Sequence, residues 1–67
     1  MAVARVTKIV GSSANSWQEA VNEALKRANK TLRNLTGLQL LEQKAKIENG
    51  KIIEYRATVE VTFILED

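Results

Sequence analysis

The 67-residue sequence predicts an α+β fold with the element order β-α-β-β, and three observations support this prediction. Over residues 53–65, every odd position is apolar or aromatic while the even positions are mostly polar, which is typical of a β-strand. Over residues 17–35, apolar residues recur at steps of three and four, which is typical of an amphipathic helix. Asn49-Gly50 precedes the last strand and is a strong signal for a tight hairpin turn.

The first strand and the helix follow from local signals. Residues 3–10 are rich in β-branched side chains and are predicted to form a strand that ends at the Gly-Ser-Ser run at 11–13. Ser16 is predicted to start the helix, because Glu19 follows at the spacing of a capping box, in which each side chain satisfies a backbone amide. The apolar stripe of the helix spans about 18 residues and consists of Trp17, Ala20, Val21, Ala24, Leu25, Ala28, Leu32 and Leu35.

The helix is predicted to end within residues 34–37, with Gly37 in the left-handed conformation that helix ends favour. Residues 38–48 are then predicted to form the second strand and residues 51–65 the third. If Asn49-Gly50 is a two-residue turn, Glu48 faces Lys51 across the hairpin.

This register sorts the side chains of the hairpin onto two faces. Leu38 and Leu40 are expected beside Val61 and Val59, in a core that receives the apolar stripe of the helix. An unseen bulge would change this pairing. The opposite face is mixed and is typical of a subunit interface or of the wall of a small-molecule pocket. It is expected to contain Gly37, Gln39, Leu41, Gln43, Ala45 and Ile47 together with Thr62, Glu60, Thr58, Arg56, Glu54 and Ile52.

The length of the last strand predicts self-assembly. An extended 51–65 segment is roughly 50 Å long, whereas a compact chain of this size has a radius of gyration of about 11 Å. The sequence contains no Cys and no His, which leaves neither a disulfide nor the commonest metal ligands to stabilise so small a core. We therefore expect a homo-oligomer in which neighbouring copies cover the strand.

Charge and hydropathy exclude several classes of partner. The net charge is only +2 and three aromatic residues are present, whereas nucleic-acid binding favours a basic face with interleaved aromatics. The basic residues Lys26, Arg27, Lys30 and Arg33 suit the end of a helix instead. Without a signal-peptide pattern or a run of apolar residues long enough to span a bilayer, the sequence indicates one soluble, cytoplasmic domain over residues 1–67, with no membrane partner.

Several groups of residues occur in a distinctive order: Gly-Ser-Ser at 11–13; Ser16-Trp17 with Ala20 and Ala24; Arg27-Ala28 with Thr31-Leu32 and Asn34-Leu35; and Tyr-Arg-Ala-Thr-Val-Glu-Val-Thr-Phe at 55–63. Together these residues resemble the dodecin family, and the resemblance covers nearly the whole chain without a gap. It implies a three-stranded antiparallel sheet that half-wraps one helix, and twelve copies that assemble into a hollow cage. It further implies a non-catalytic protein that binds and sequesters FMN, riboflavin or a related small ligand.

The positions that correspond to the flavin pocket of the family are Gly37, Gln39 and Arg56, and two of them depart from the family pattern. Gly37 stands where flavin-binding dodecins have a stacking tryptophan, and Arg56 stands where they have a glutamine that bonds the ring edge. We expect flavin affinity to be weak or lost, because a stacking platform contributes about 1–3 kcal/mol per ring. Arg56 is expected to pair with Glu54 or Glu60 of another chain or to favour an anionic ligand. Trp17 is expected to pack on the sheet and on Val21 rather than to replace the missing platform.

A subgroup of the family is described as calcium-binding, lacks the tryptophan, and shares a Ser-Trp helix start and a Tyr-Arg pair in the last strand. The resemblance to it is close and makes a cation-binding protein, with ions at symmetry contacts, the alternative function. The candidate oxygen ligands are Glu19, Glu23, Asn15 and Ser16, although capping and solvent-facing roles also fit them, so no metal ligand is assigned. Catalysis is not expected, because no nucleophile lies beside a recognisable base.

Overall fold

A computed structural model describes residues 3–65 of the chain. It contains β1 (Val3–Ser13), α1 (Trp17–Thr31), β2 (Leu35–Glu48) and β3 (Lys51–Leu65). The three strands form one antiparallel sheet in the order β1-β3-β2, so the long last strand is central and pairs with both neighbours. The predicted β-α-β-β order and the antiparallel sheet are confirmed.

The first strand is longer than predicted. The Gly-Ser-Ser run at 11–13 continues β1 to its end, where Gly11 pairs with Ala57 and Ser13 pairs with Tyr55. Gly11 is required for close packing rather than for a turn. A Cβ atom at this position would lie 2.0 Å from the carbonyl oxygen of Ala20 and 3.0 Å from the Cβ of Ala24.

The helix starts as predicted but with a different partner for its glutamate. Ser16 is the N-cap, and its Oγ accepts a hydrogen bond of 3.0 Å from the backbone amide of Glu19. In a complete capping box, the carboxylate of Glu19 would also accept a hydrogen bond from the backbone amide of Ser16. Here it contacts two other side chains instead. The carboxylate of Glu19 accepts hydrogen bonds from Ser13 Oγ at 2.9 Å and from Asn15 Nδ2 at 3.0 Å.

The predicted end of the helix was wrong by several residues. Thr31 is the last helical residue, and Leu32 is extended, with its amide donating to Ala28 O at 2.8 Å. Asn34 takes the left-handed conformation, with φ of 61°, and Gly37 does not. Asparagine tolerates this region because its short polar side chain can bond locally, so the chain turns before Gly37. Leu35 consequently lies in β2, opposite Phe63, instead of on the helix.

The hairpin turn has the predicted form. Asn49 and Gly50 have φ values of 53° and 75°, as a type I′ turn requires, and Glu48 pairs with Lys51. Leu38 and Leu40 lie opposite Val61 and Val59, as expected.

Two register shifts separate these confirmed pairs and change the middle of the hairpin. The pairing shifts by one residue between Leu40 and Glu42 and shifts back between Lys46 and Ile47. Between the shifts, Gln43 lies opposite Ala57 and Ala45 lies opposite Tyr55, so these two residues are not beside Arg56 and Glu54 as predicted. Instead, Lys44 lies opposite Arg56 and Lys46 lies opposite Glu54. This change is possible because a β-bulge alters the direction of the side chains that follow it.

The core of the subunit is small. α1 packs over β1 and β3, and the buried apolar residues are Ala20, Ala24, Ala28, Ala57, Val59 and Val61. Leu38 and Leu40 do not join this core and stay 40% and 42% exposed, because β2 lies beyond the edge of the helix. The prediction that the helix covers these two leucines was wrong.

Much apolar surface therefore stays open in a subunit whose longest dimension is 52 Å. The exposed large hydrophobic residues are Val3, Val6, Val10, Leu38, Leu40, Leu41, Ile47, Ile52, Ile53 and Leu65. Patches of this kind in a folded chain mark surfaces that bind other molecules. They fit the expectation that copies of the chain cover one another.

Candidate functional site

The sheet face opposite α1, which we call the outer face, contains all the residues that correspond to the implied ligand pocket. Val59 and Val61 point toward the helix, so the even-numbered residues of β3 from 54 to 64 lie on the outer face. Gly37 pairs with Thr62, Gln39 pairs with Glu60, and Arg56 pairs with Lys44. Gly37, Gln39 and Arg56 thus share one face.

One subunit does not bring these three positions together. Gly37 lies opposite Thr62, and Thr62 is six residues from Arg56 along β3. At roughly 3.3 Å per residue this is a separation of about 20 Å. A pocket that contains both residues therefore needs Gly37 from one copy and Arg56 from another.

Gly37 leaves open space on the outer face. The nearest atoms to a Cβ at this position would be Thr62 Cβ at 3.8 Å and Thr62 Oγ1 at 3.9 Å, which are ordinary contact distances. The backbone is extended strand rather than left-handed, so a larger residue meets no conformational strain here. No aromatic ring lies on the outer face of the described subunit, because Tyr55 and Phe63 are odd-numbered and Trp17 belongs to α1.

Arg56 is paired within its own chain. Its Nε donates to Glu54 Oε1 at 2.7 Å, so the expected acidic neighbour is Glu54, but of the same subunit and not of another one. Glu54 engages Nε alone. The terminal nitrogens of the guanidinium make no hydrogen bond to any residue within 3–65 and keep their donors for other groups.

Trp17 has a structural role, as expected. Its indole Nε1 donates to Lys44 O at 2.9 Å, and its ring meets Tyr55 edge-on, with centroids 4.8 Å apart and planes at 82°. These contacts tie the start of α1 to β2 and β3. The bond to Lys44 was not predicted, because no local sequence pattern relates positions 27 residues apart.

Three of the four candidate oxygen ligands for a cation, Asn15, Ser16 and Glu19, belong to the capping network at the start of α1. Ser13, which was not among the predicted candidates, is buried, donates to Glu19 and accepts from the amide of Asn15 at 2.9 Å. Glu23 lines a cleft between α1 and β1 together with Lys26, Arg27 and Lys30. Within residues 3–65, no cluster of three or more acidic, His or Cys side chains could hold a metal ion. One subunit alone therefore does not fit calcium, whose six to eight oxygen ligands would have to come from several copies.

The described part of the chain also contains no helix that is long and apolar enough to cross a bilayer.

A short β-α-β-β subunit with a small core and much exposed apolar surface defines a class of small, self-assembling proteins. The family model described as Dodecin matches residues 3–66, and the chain belongs to the dodecin family. Members of this family form dodecamers.

Two relatives support this assignment. A dodecin from Thermus thermophilus is 35% identical over 65 residues, which cover 97% of this chain and 94% of the relative. A crystal structure of a variant of the Thermus dodecin superposes with a TM-score of 0.95, at 34% identity and with both chains fully covered. The calcium dodecin of Mycobacterium tuberculosis is 33% identical over 63 residues, which cover 94% of this chain and 89% of the relative. Its crystal structure has a TM-score of 0.83 at 34% identity, with 96% of this chain and 91% of that chain covered.

Proposed function

We propose that this chain is the subunit of a non-catalytic, hollow dodecamer that binds a small ligand between the outer faces of neighbouring copies, with weak affinity for flavins. The observation that carries the proposal is the composition of the outer face. It offers open space at Gly37 and polar groups at Gln39 and Arg56, but it has no aromatic platform. The absence of His and Cys from the sequence agrees with a binding role rather than a catalytic one.

Assembly is the first part of the proposal to test. Twelve copies of a 7.5 kDa chain give a particle of about 90 kDa. We expect native mass spectrometry at micromolar concentration to find this species and no folded monomer, because ten large apolar residues within the described range 3–65 stay exposed in the subunit. A folded monomer or dimer at that concentration would contradict the proposal.

Flavin affinity tests the ligand site. We expect FMN and riboflavin to bind at least about 100-fold more weakly than to the double variant Gly37→Trp, Arg56→Gln, a difference of roughly 2.7 kcal/mol. The variant restores a stacking platform and a neutral hydrogen-bonding side chain, and the extended backbone at Gly37 accepts tryptophan without strain. Quenching of flavin fluorescence measures both affinities, and Gly37→Ala with Arg56→Gln is the matched control without a ring. Nanomolar binding by the unaltered chain would refute this placement of the site.

A calcium-binding role is the second candidate, and it is favoured by the calcium dodecin relative. The cation would lie at contacts between copies, with Glu19 and Glu23 as the acidic residues to test. Equilibrium dialysis followed by elemental analysis measures bound calcium per subunit. Stoichiometric calcium that is lost in Glu19→Gln or Glu23→Gln, with the dodecamer intact, supports this role, and dialysed protein without calcium excludes it.

The proposal also includes a cytoplasmic location for the dodecamer, which cell fractionation checks.

A further inference from the structure

The segment of β2 from Glu42 to Lys46 has an unusual charge arrangement on the outer face. The register shifts on either side of this segment place Lys44 opposite Arg56 and Lys46 opposite Glu54. Without the shifts, the uncharged residues Gln43 and Ala45 would occupy these positions. The two irregularities thus gather three cations, which we call the basic cluster: Lys44, Lys46 and Arg56.

A lysine directly opposite an arginine is unfavourable in an isolated antiparallel pair. Local carboxylates relieve this repulsion only in part. Glu54 bonds Arg56 at 2.7 Å, but Glu42 lies 3.9 Å from Lys44 Nζ, at the limit of an ion pair. Three cations therefore face two carboxylates, and the cluster keeps a positive charge that an added anion would neutralise.

The cluster lines a depression with room for a ligand. The depression has a volume of about 370 Å³ and is lined by Lys44, Ala45, Lys46 and Arg56. The side chains of Lys44 and Arg56 are 68% and 59% exposed, so their donors are accessible in the subunit. Because Glu54 holds Arg56 through Nε, the terminal nitrogens remain available as a two-pronged donor for an oxyanion.

The backbone beneath the cluster is fixed from the other side of the sheet. Trp17 Nε1 bonds the carbonyl oxygen of Lys44, and the indole packs edge-on against Tyr55, the residue before Arg56. A binding site is more effective when its side chains project from backbone that is held in place. These contacts anchor both strands that supply the cations.

We infer that the basic cluster is an oxyanion site that binds the phosphate group of a small phosphorylated ligand. The site requires neither an aromatic ring nor a bound metal. It shares Arg56 with the flavin-type pocket proposed above, and its test therefore uses a probe without a ring. Phosphate fits this arrangement because a guanidinium binds two of its oxygens and lysines neutralise the remaining charge.

The test is isothermal titration of the intact assembly with inorganic pyrophosphate at low salt. We expect saturable binding of pyrophosphate with a stoichiometry counted per subunit. The affinity should fall at least about tenfold in Lys44→Gln and in Arg56→Gln, since each change removes a charged donor. Lys8→Gln is the matched control. Lys8 carries the same charge on the same outer face, but it pairs with Glu60, four residues along β3 from Arg56. Its substitution is expected to change the affinity less than twofold.

Native mass spectrometry of each variant ensures that only assembled protein is compared. Equal weakening by Lys8→Gln and Lys44→Gln would overturn the inference, because it would mean that net charge alone attracts the anion. The absence of saturable binding to the unaltered chain at millimolar pyrophosphate would also overturn it. Pyrophosphate binding that depends on Lys44 supports the site even if FMN and riboflavin do not bind. Flavin binding without pyrophosphate binding supports the proposed function alone and contradicts the oxyanion site.

Discussion

The contact between Gly11 and the helix provides a direct test of the packing. In Gly11→Ala, the new methyl group would lie 2.0 Å from the backbone oxygen of Ala20. Ordinary contact requires about 3.4 Å, so α1 must move away from β1 by roughly 1.4 Å. The obstacle is backbone and cannot rotate away. The shift also separates Ala24 from the strand, so we expect a cost near the top of the range for overpacked cores, about 2–3 kcal/mol per subunit.

Urea denaturation at fixed subunit concentration measures this cost, with Gly37→Ala as the matched control. The control adds the same methyl group to a strand, but the atom nearest to this methyl group would be Thr62 Cβ, at 3.8 Å. We expect Gly37→Ala to lie within about 1 kcal/mol of the unaltered chain, or to stabilise it, because alanine restricts the unfolded state. Equal stability of Gly11→Ala and Gly37→Ala would refute the reasoning, since it would mean that α1 does not approach β1 as closely as described.

Three further substitutions test other contacts. Val61→Asp is expected to abolish folding and assembly together, as circular dichroism and native mass spectrometry would detect, because it buries an unpaired charge. Trp17→Phe removes the hydrogen bond to Lys44 O but keeps a ring, so urea denaturation should give a loss of about 1 kcal/mol. Ser16→Ala removes the N-cap and should cost about 1 kcal/mol by the same measurement, whereas the exposed Ser12→Ala should cost little.

The elements that the sequence predicted correctly depend on local chemistry. The hairpin turn follows from Asn49-Gly50 because few other residue pairs accept two positive φ values. The helix start follows from Ser16 because a hydroxyl at this position can accept a first-turn amide. The pairing of Glu48 with Lys51 followed from the turn itself, whereas the pairing of Leu38 with Val61 was correct because the two register shifts between it and the turn cancel.

The errors came from tertiary packing. The sequence gives the same residue type at Gly11 and Gly37, but only Gly11 lies against a helix backbone, so the two could not be distinguished by local pattern. Asn34 reversed the chain before Gly37, and this moved Leu35 from the helix to the sheet. The register shifts around residues 42–46 likewise lack a local signal, because an alternating pattern is equally compatible with a shifted strand when its side chains are mostly polar.

The same bulges limited the prediction of the candidate site. Arg56 could be placed on the outer face, since its position depends only on the strict alternation of β3. Its neighbours depended on the register of β2, so Lys44 and Lys46 were missed in favour of Gln43 and Ala45. The ion pair between Arg56 and Glu54 joins two residues on the same face of β3. Glu54 was correctly predicted as a partner of Arg56, but it was expected to come from another chain.

The need for partner copies follows from the dimensions of a helix and a strand. Both α1 and β3 contain 15 residues, but a helix rises only about 1.5 Å per residue and a strand about 3.3 Å. The helix is therefore about 22 Å long and covers less than half of a strand of about 50 Å. Among residues 3–65, the buried apolar side chains are the alanines of α1 and those in the middle of β3, and apolar residues toward both ends of the sheet stay exposed. Shortening of the hairpin would remove exposed Ile47 and Ile52 but would also remove surface that a neighbouring copy can cover. The isolated subunit therefore has a low free energy of unfolding and depends on contacts with its partners for stability. Its fold and its assembly should be lost together.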